Sequence, residues 1–456
     1  MTGHGLFALD LDRCTGCAAC VVACKTENEV ADGMSWRRIH TYNHQRLATV
    51  PVFHFTLACN HCLEPACLHH CPANAYTKDT TTGAVLIDQD SCIGCRFSEW
   101  VCPYEAPRYN AAVGIMEKCT FCEHRLREDR PPACVTACPT DALRFEREDN
   151  PPLVRRPGFP ETGLRPAVRV VGDRRHQAPD MTAAPIAMGA VPPRSAMNWG
   201  GLKSEWSLWF FTSVATLLVA WFTAATSWSR EIAVPVFAGA GALAMAVSAL
   251  HLGRITRLWR AILNFRRSWV SREVVLFSTF FAAACASALR PELAVWARWL
   301  VAAVGFAALY AMDMVYRVRG QPVLTVPHSA MATLTAAFYI GILTTNAVLL
   351  WPAAMVKLVL YLARRQRPSP GGFLLAPIRL GVGLFPAFAL AATGTVPVAA
   401  ALFGALVGEL IDRAEFYAAL RFLTPTLQIE TDLAQQQRDP GIGLRPEACG
   451  LRPPVS

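Results

Sequence analysis

The sequence predicts two regions of different fold class: a short, loop-rich α+β domain organised around cysteine, then an all-α polytopic membrane domain. Three observations predict it. Fifteen of the 17 cysteines lie between Cys14 and Cys138. Apolar stretches close to the length of a bilayer crossing recur after Glu205. Between these regions, from about Glu146 to Lys203, a Pro-, Arg- and Gly-rich segment shows no apolar period. At 456 residues and 53% hydrophobic, the protein exceeds one ordinary core. The boundaries read as 1–145, a linker over 146–204, a membrane region over 205–423 and a disordered tail over 424–456. The net charge of +9 does not call for nucleic acid, because arginine collects in the cytoplasmic loops of membrane proteins.

The cysteines form four groups. They are "CTGCAACVVAC" (Cys14, Cys17, Cys20, Cys24), "CNHCLEPACLHHCP" (Cys59, Cys62, Cys67, Cys71), "CIGCRFSEWVCP" (Cys92, Cys95, Cys102) and "CTFCEHRLREDRPPACVTACP" (Cys119, Cys122, Cys134, Cys138). Disulfides need an oxidising compartment, and no signal peptide is expected ahead of Cys14. Zinc accounts for CxxC pairs but not for a third cysteine followed by x3-Cys-Pro. An iron–sulfur cubane accounts for it: three close thiolates cap one cluster, and the fourth reaches a neighbouring cluster. Soft thiolates select this chemistry over hard ions. The proline after the last cysteine ends the short helical turn and sets the chain direction. Small strands such as Ala84 to Asp90 leave little hydrophobic core, so clusters are expected to hold much of this domain together. The fold expected is therefore ferredoxin-like and polycluster. Cys285 and Cys449 read as non-ligands, and Trp100 as packing.

The third group breaks the pattern, with Ser98 where the third cysteine belongs. Its oxygen could ligate the fourth iron as an alkoxide, or the fourth iron could be missing and leave a [3Fe–4S] cluster. Ligand softness favours the second outcome. An empty cluster site is the bland alternative.

The segments "CNHCLEPACLHHCP", "CIGCR…CPYEAPRYN" and "MEKCTFCEHR" resemble the four-cluster iron–sulfur subunit of the dimethyl sulfoxide reductase family, over roughly Gly5 to Phe145. The resemblance implies ligand sets. Cys14, Cys17, Cys20 and Cys138 would hold one cluster, and Cys119, Cys122, Cys134 and Cys24 a second. Cys59, Cys62, Cys67 and Cys102 would hold a third, and Cys92, Cys95 and Cys71 the last, with Ser98 at its open corner. Three [4Fe–4S] clusters and one [3Fe–4S] or serine-ligated [4Fe–4S] cluster are the expected cofactors.

Eight spans are expected: Trp206–Trp228, Ile232–Gly253, Glu273–Leu289, Val295–Tyr316, His328–Leu350, Trp351–Ala363, Leu375–Thr393 and Val396–Ile411. The break before the sixth rests on Trp351-Pro352. The loop "RITRLWRAILNFRRSWVSR" carries six arginines, and Arg317, Arg319, Arg364, Arg365 and Arg367 follow other even-numbered spans. The positive-inside rule then puts both termini and the cysteine domain on the cytoplasmic face of a bacterial inner membrane.

Ionisable groups in spans are functional candidates by default. His251, Glu273, Asp313, His328, Glu409, Asp412 and Arg413 all fall toward the expected cytoplasmic side. A quinone head group needs a proton acceptor and hydrogen-bond donors, which these residues could supply. Glu409, Asp412 and Arg413 could equally be a structural ion pair. Lys357 reads as lining a polar interior or snorkelling. A b-type haem is not expected, since only His251 and His328 lie in the spans, each at a helix end. "HLGRITRLWRAILNFRRSWVSREV" and "GELIDRAEFY" resemble the membrane-anchor subunit of the same reductase family. That resemblance implies menaquinol or ubiquinol oxidation with Glu273 and His251 in deprotonation, and a molybdopterin-bearing catalytic partner. The function expected is an electron-transfer and anchor subunit. Reverse flow from a dehydrogenase partner, or a redox-driven ion-translocating module, are the alternatives.

Overall fold

The computed structural model describes residues 4–44, 50–149, 154–172, 199–225, 232–289, 295–318, 327–365, 375–419 and 423–438. Arg319, Arg367, Cys449 and much of the expected linker lie outside the described residues. The protein divides into two compact units.

The first unit is built on β1 (His4–Asp10), an alternation-free apolar strand buried on both faces. The elements that follow are α1 (Ala19–Glu27), β2 (Arg38–Tyr42), β3 (Phe53–Leu57), α2 (Ala66–His70), β4 (Tyr76–Lys78) and β5 (Val85–Ile87). Then come α3 (Phe97–Val101), β6 (Arg108–Asn110), β7 (Ile115–Glu117), α4 (Glu123–Arg127), α5 (Ala133–Thr136), β8 (Leu143–Glu148) and β9 (Val168–Val171). β1 pairs antiparallel with β8, from His4↔Glu148 to Leu9↔Leu143, and parallel with β9. The other strands form the hairpins β2–β3, β4–β5 and β6–β7. Rings replace a broad core: Phe7 meets Phe121 edge-on at 5.0 Å, and His61 stacks on Phe121 at 3.6 Å.

Two expectations fail here. The segment after Phe145 is not wholly a tether. Over 154–172 it buries Val154, Phe159, Leu164 and Ala167, and it adds β9 to the sheet. It also clasps the second cysteine group through backbone bonds: Ala167 N–H to Asn60 O at 2.8 Å, and Leu63 N–H to Arg165 O at 2.9 Å. Its prolines and arginines hid isolated apolar anchors that need no periodic spacing. The tail is not wholly disordered either. α15 (Pro425–Arg438) buries Ile429 and Leu433, and Asp432 accepts the Gly158 N–H at 2.5 Å.

The second unit holds α6 (Trp199–Ala224), α7 (Ala233–Ala249), a 3₁₀ segment (Ile255–Ile262), α8 (Trp269–Leu289), α9 (Val295–Val315), α10 (Ala332–Leu343) and α11 (Ala347–Arg365). α12 (Ala376–Ile378) runs through a π-helical turn (Arg379–Leu384) into α13 (Phe385–Thr393), and α14 (Val398–Ala419) follows. Among the described residues five helices are long and apolar enough to cross a membrane: Glu205–Ala224, Trp269–Leu289, Val295–Val315, Ala347–Arg364 and Ala376–Thr393. Ala233–Ala249 and Ala332–Leu343 are shorter apolar helices, so the expected count of eight is not reached. Outward-facing Trp296, Trp299, Phe385 and Phe403 are each more than 60% exposed, which suits lipid better than water.

The expected break at Trp351-Pro352 lies elsewhere. Thr345 adopts a φ of +53°, and the Asn346 Oδ1 accepts the Val348 N–H at 3.0 Å. This turn ends α10 and caps α11, so the fifth expected span is split and Pro352 sits inside a continuous helix. Lipid supplies no hydrophobic drive between helices, so close packing must hold them. A Cβ on Gly408 would lie 2.5 Å from the Gly383 Cα, and one on Gly404 2.3 Å from the Val382 carbonyl oxygen. The glycines thus let α14 and the π-helical turn touch backbone to backbone.

Candidate functional site

Each CxxC loop turns on the residue before its second cysteine. Gly16, His61, Gly94 and Phe121 have φ of +72°, +39°, +67° and +62°. This left-handed step costs little at Gly16 and Gly94 but is strained at His61 and Phe121. It aims backbone N–H groups at sulfur: His61 to Cys59 Sγ and Phe121 to Cys119 Sγ, both at 3.4 Å. Such donors stabilise thiolate charge.

The strands then gather the groups. The β1–β8 ladder ends at Leu9↔Leu143, which carries Cys14 and Cys138 to one end of the sheet. Cys14 lies in the electrostatic field of Cys17, Cys20 and Cys138, and Cys24 in that of Cys122 and Cys134. Glu27 ties α1 to α4 through Arg125 Nη1 and His124 Nε2, each at 2.9 Å. The β4–β5 hairpin links Cys71 to Cys92, and β6–β7 links Cys102 to Cys119.

Two cavities result. One is lined by Cys59, Cys62, Cys67 and Cys102, with buried Lys118 on its wall. Another is lined by Cys71, Cys92, Cys95 and Ser98, with Cys67 also on its wall. The hydroxyl of Ser98 is buried and has no hydrogen-bond partner among the described residues. None of the sixteen described cysteines forms a disulfide. Among the described residues no three Cys, His, Asp or Glu side chains converge on a single-ion site; cysteine sulfur instead lines two shared cavities. Burial pushes the Cys24 and Cys95 thiols up to about 12 and Cys102 up to about 11. Deprotonating them at neutral pH requires positive charge from iron, so ionisation and cluster uptake are coupled. The donor set and cavities therefore fit iron–sulfur clusters.

Sequence spacing gave no sign of Arg37. It is 1% exposed, sits 4.4 Å over the Phe7 ring and donates to the Thr56 carbonyl at 3.0 Å. It shares an electrostatic neighbourhood with Cys20, Cys24, Cys119 and Cys134.

Residues 50–148 match the family described as a 4Fe-4S dicluster domain. An anaerobic dimethyl sulfoxide reductase protein of Escherichia coli is 41% identical over 152 residues, 32% of this protein and 73% of that relative. The protein belongs to the dimethyl sulfoxide reductase family of iron–sulfur subunits. Two further relatives carry other names. A sulfite dehydrogenase subunit of Allochromatium vinosum is 34% identical, the match covering 35% of this protein and 79% of the relative. The thiosulfate reductase electron transfer subunit of Salmonella typhi is 36% identical, covering 34% and 82%. The cysteine domain is thus an iron–sulfur electron-transfer module, here continuous with a helical unit that carries candidate membrane spans.

That helical unit sorts the remaining expected residues into three places. His251 ends α7 with its ring Nδ1–H donated to the Ser248 carbonyl, which leaves Nε2 as the lone-pair nitrogen. Glu409 and Asp412 belong to a buried ion network. Lys357 Nζ lies 2.8 Å from Glu409, Arg379 Nη2 lies 2.9 Å from Glu409 and 3.3 Å from Asp412, and Arg364 Nη2 lies 2.6 Å from Asp412. Arg364 also reaches Glu415 at 3.2 Å. Lys357 therefore lines a polar interior and does not snorkel.

The third place holds Glu273, Asp313, His328 and Arg413. Asp313 caps α10 from α9, accepting the N–H groups of Ala332 at 2.6 Å and Thr333 at 3.1 Å. Glu273 lies within electrostatic reach of Asp313, Tyr316 and Tyr417. The Tyr316 and Tyr417 hydroxyls are 2.5 Å apart. His328 stacks on Phe416 at 4.0 Å, and its Nδ1 has no partner among the described residues. Arg413 is 5% exposed, and its Nη2 likewise has no partner among the described residues. Glu409 and Arg413, one helical turn apart, thus differ in their direct partners but share the electrostatic neighbourhood of Tyr339.

Proposed function

We propose that the protein passes electrons from membrane quinol to a catalytic partner carrying molybdopterin. Bound clusters would supply one-electron transfer. Cys14, Cys17, Cys20 and Cys138 would hold the first, and Cys24, Cys119, Cys122 and Cys134 the second. Cys59, Cys62, Cys67 and Cys102 would hold the third, and Cys71, Cys92 and Cys95 the fourth as [3Fe–4S]. The observation that carries the quinol reading is the buried guanidinium of Arg413 beside Glu273, Asp313, Tyr316 and His328. Its Nη2 has no partner among the described residues, and a buried donor left unpaired is costly unless a polar guest pairs with it. Arg413 would orient a quinone oxygen, and Glu273 would accept a proton from the quinol hydroxyl. His251 would then serve in proton release. The arginine-rich loops support a cytoplasmic face for the iron–sulfur domain.

Oxidation of menaquinol or ubiquinol by membranes carrying the full complex tests this. Glu273→Gln and Arg413→Gln should each slow it at least tenfold while dithionite still reduces every cluster. Unchanged quinol oxidation in both variants would remove the site. A second reading, in which a dehydrogenase partner feeds quinone, draws on the similarity to a sulfite dehydrogenase subunit.

A further inference from the structure

We infer that Tyr76 sets the potential of the cluster held by Cys71, Cys92 and Cys95, its phenol donating a hydrogen bond to cluster sulfur at the Ser98 corner. The inference rests on the reading that these three cysteines hold an iron–sulfur cluster.

Tyr76 opens β4, and its pairing with Ile87 across the β4–β5 hairpin fixes its direction. Its side chain lines the same cavity as Cys71, Cys92, Cys95 and Ser98. It is 6% exposed, and the Ser98 hydroxyl is the side-chain polar group that meets its phenol. The Ser98 hydroxyl has no further partner among the described residues. Tyr76 is electrostatically coupled to Cys67, Cys71 and Cys92, so sulfur surrounds it. Two facing hydroxyls bring two protons to one mutual hydrogen bond, so one proton needs a further acceptor, and the cysteine sulfurs that line the cavity can supply it.

Among the backbone donors that already reach this sulfur set are Ala75 N–H to Cys71 Sγ and Met116 N–H to Cys92 Sγ, both at 3.4 Å. Neither reaches the Ser98 corner, where a fourth thiolate would otherwise stand. A hydrogen bond to cluster sulfur stabilises the more negative, reduced state and raises the potential. Tyr76 would thus move the potential in the same upward direction as the loss of a negative thiolate.

The test is a redox titration followed by electron paramagnetic resonance on membranes containing the full-length protein. Tyr76→Phe should lower the midpoint of one cluster by about 59 mV, a tenfold change in its one-electron reduction equilibrium, and leave the other three in place. Incorporating 3-fluorotyrosine at position 76, which keeps the shape and strengthens the donor, should move the same midpoint upward. The fluorinated protein decides the matter if Tyr76→Phe fails to assemble the cluster. No movement with 3-fluorotyrosine, or an equal movement of all four midpoints, would overturn the inference. Loss of the responding signal in Cys95→Ala assigns it to this site; if another signal is lost, the ligand reading fails separately.

Discussion

Lys357 Nζ lies 2.8 Å from Glu409 Oε2, with the two side chains 0% and 4% exposed. Thr335 Oγ1 donates to the same carboxylate oxygen at 2.9 Å, and Arg379 holds the other oxygen. With Arg364, Asp412 and Glu415 the set balances three cations against three carboxylates. Removing one partner leaves a buried charge uncompensated, at a cost of about 3–5 kcal/mol. Lys357→Met should therefore lower the unfolding temperature in detergent more than the double variant Lys357→Met, Glu409→Leu. A single variant as stable as the parent protein would show that water reaches the network.

Arg37 places a buried positive charge among four cysteines of two different groups. A fixed cation favours the reduced, more negative cluster. Arg37→Met should lower the potential of the cluster assigned to Cys24, Cys119, Cys122 and Cys134. A charge-assisted contact of about 1.5–3 kcal/mol corresponds to roughly 60–130 mV for one electron. The potential of the cluster assigned to Cys92 should stay fixed in the same titration.

His40 couples acid to the docking of α15, since the Thr426 hydroxyl lies 3.4 Å from its Nδ1. Burial, helped by Arg38, pushes His40 down to about 4 from an ordinary 6.5. The folded state therefore resists a proton that the unfolded state accepts. Its contribution is complete above pH 6.5 and is lost as pH falls toward 4. Amide exchange in α15 should accelerate over that window, and His40→Gln should flatten the dependence.

Ser98→Cys would restore the soft ligand that the fourth corner lacks. The oxidised-state signal of a [3Fe–4S] cluster should shrink and a reducible [4Fe–4S] signal should replace it. If the parent protein already gives four reducible [4Fe–4S] signals, the serine oxygen or another group completes the cube.

The cysteine architecture was legible because ligand spacing is a local property. C-x2-C-x2-C fixes a loop whatever surrounds it, and the second and third groups line two common cavities. The fold around them was less legible. Phe159 and Leu164 are lone anchors in a Pro/Arg-rich segment, so no period betrayed them. α15 did carry a signal: Thr424 at the cap, Pro425 at the first position, and apolar residues at 429 and 433. In the membrane unit, composition located the helices but not their joints. The break at Thr345–Asn346 is a capping event, whereas Pro352 only looked like one. Which ionisable residues would pair was beyond the sequence, because Glu409 and Arg413 differ in direct partners rather than in position.

The most direct test is to add reduced quinol, without oxygen, to oxidised membranes containing the full-length protein and to record the cluster signals. Quinol should reduce the clusters of highest potential, starting with the one at Cys71, Cys92 and Cys95, and Arg413→Gln should abolish this reduction. Clusters that stay oxidised with quinol yet reduce fully with dithionite would contradict quinol as the electron donor.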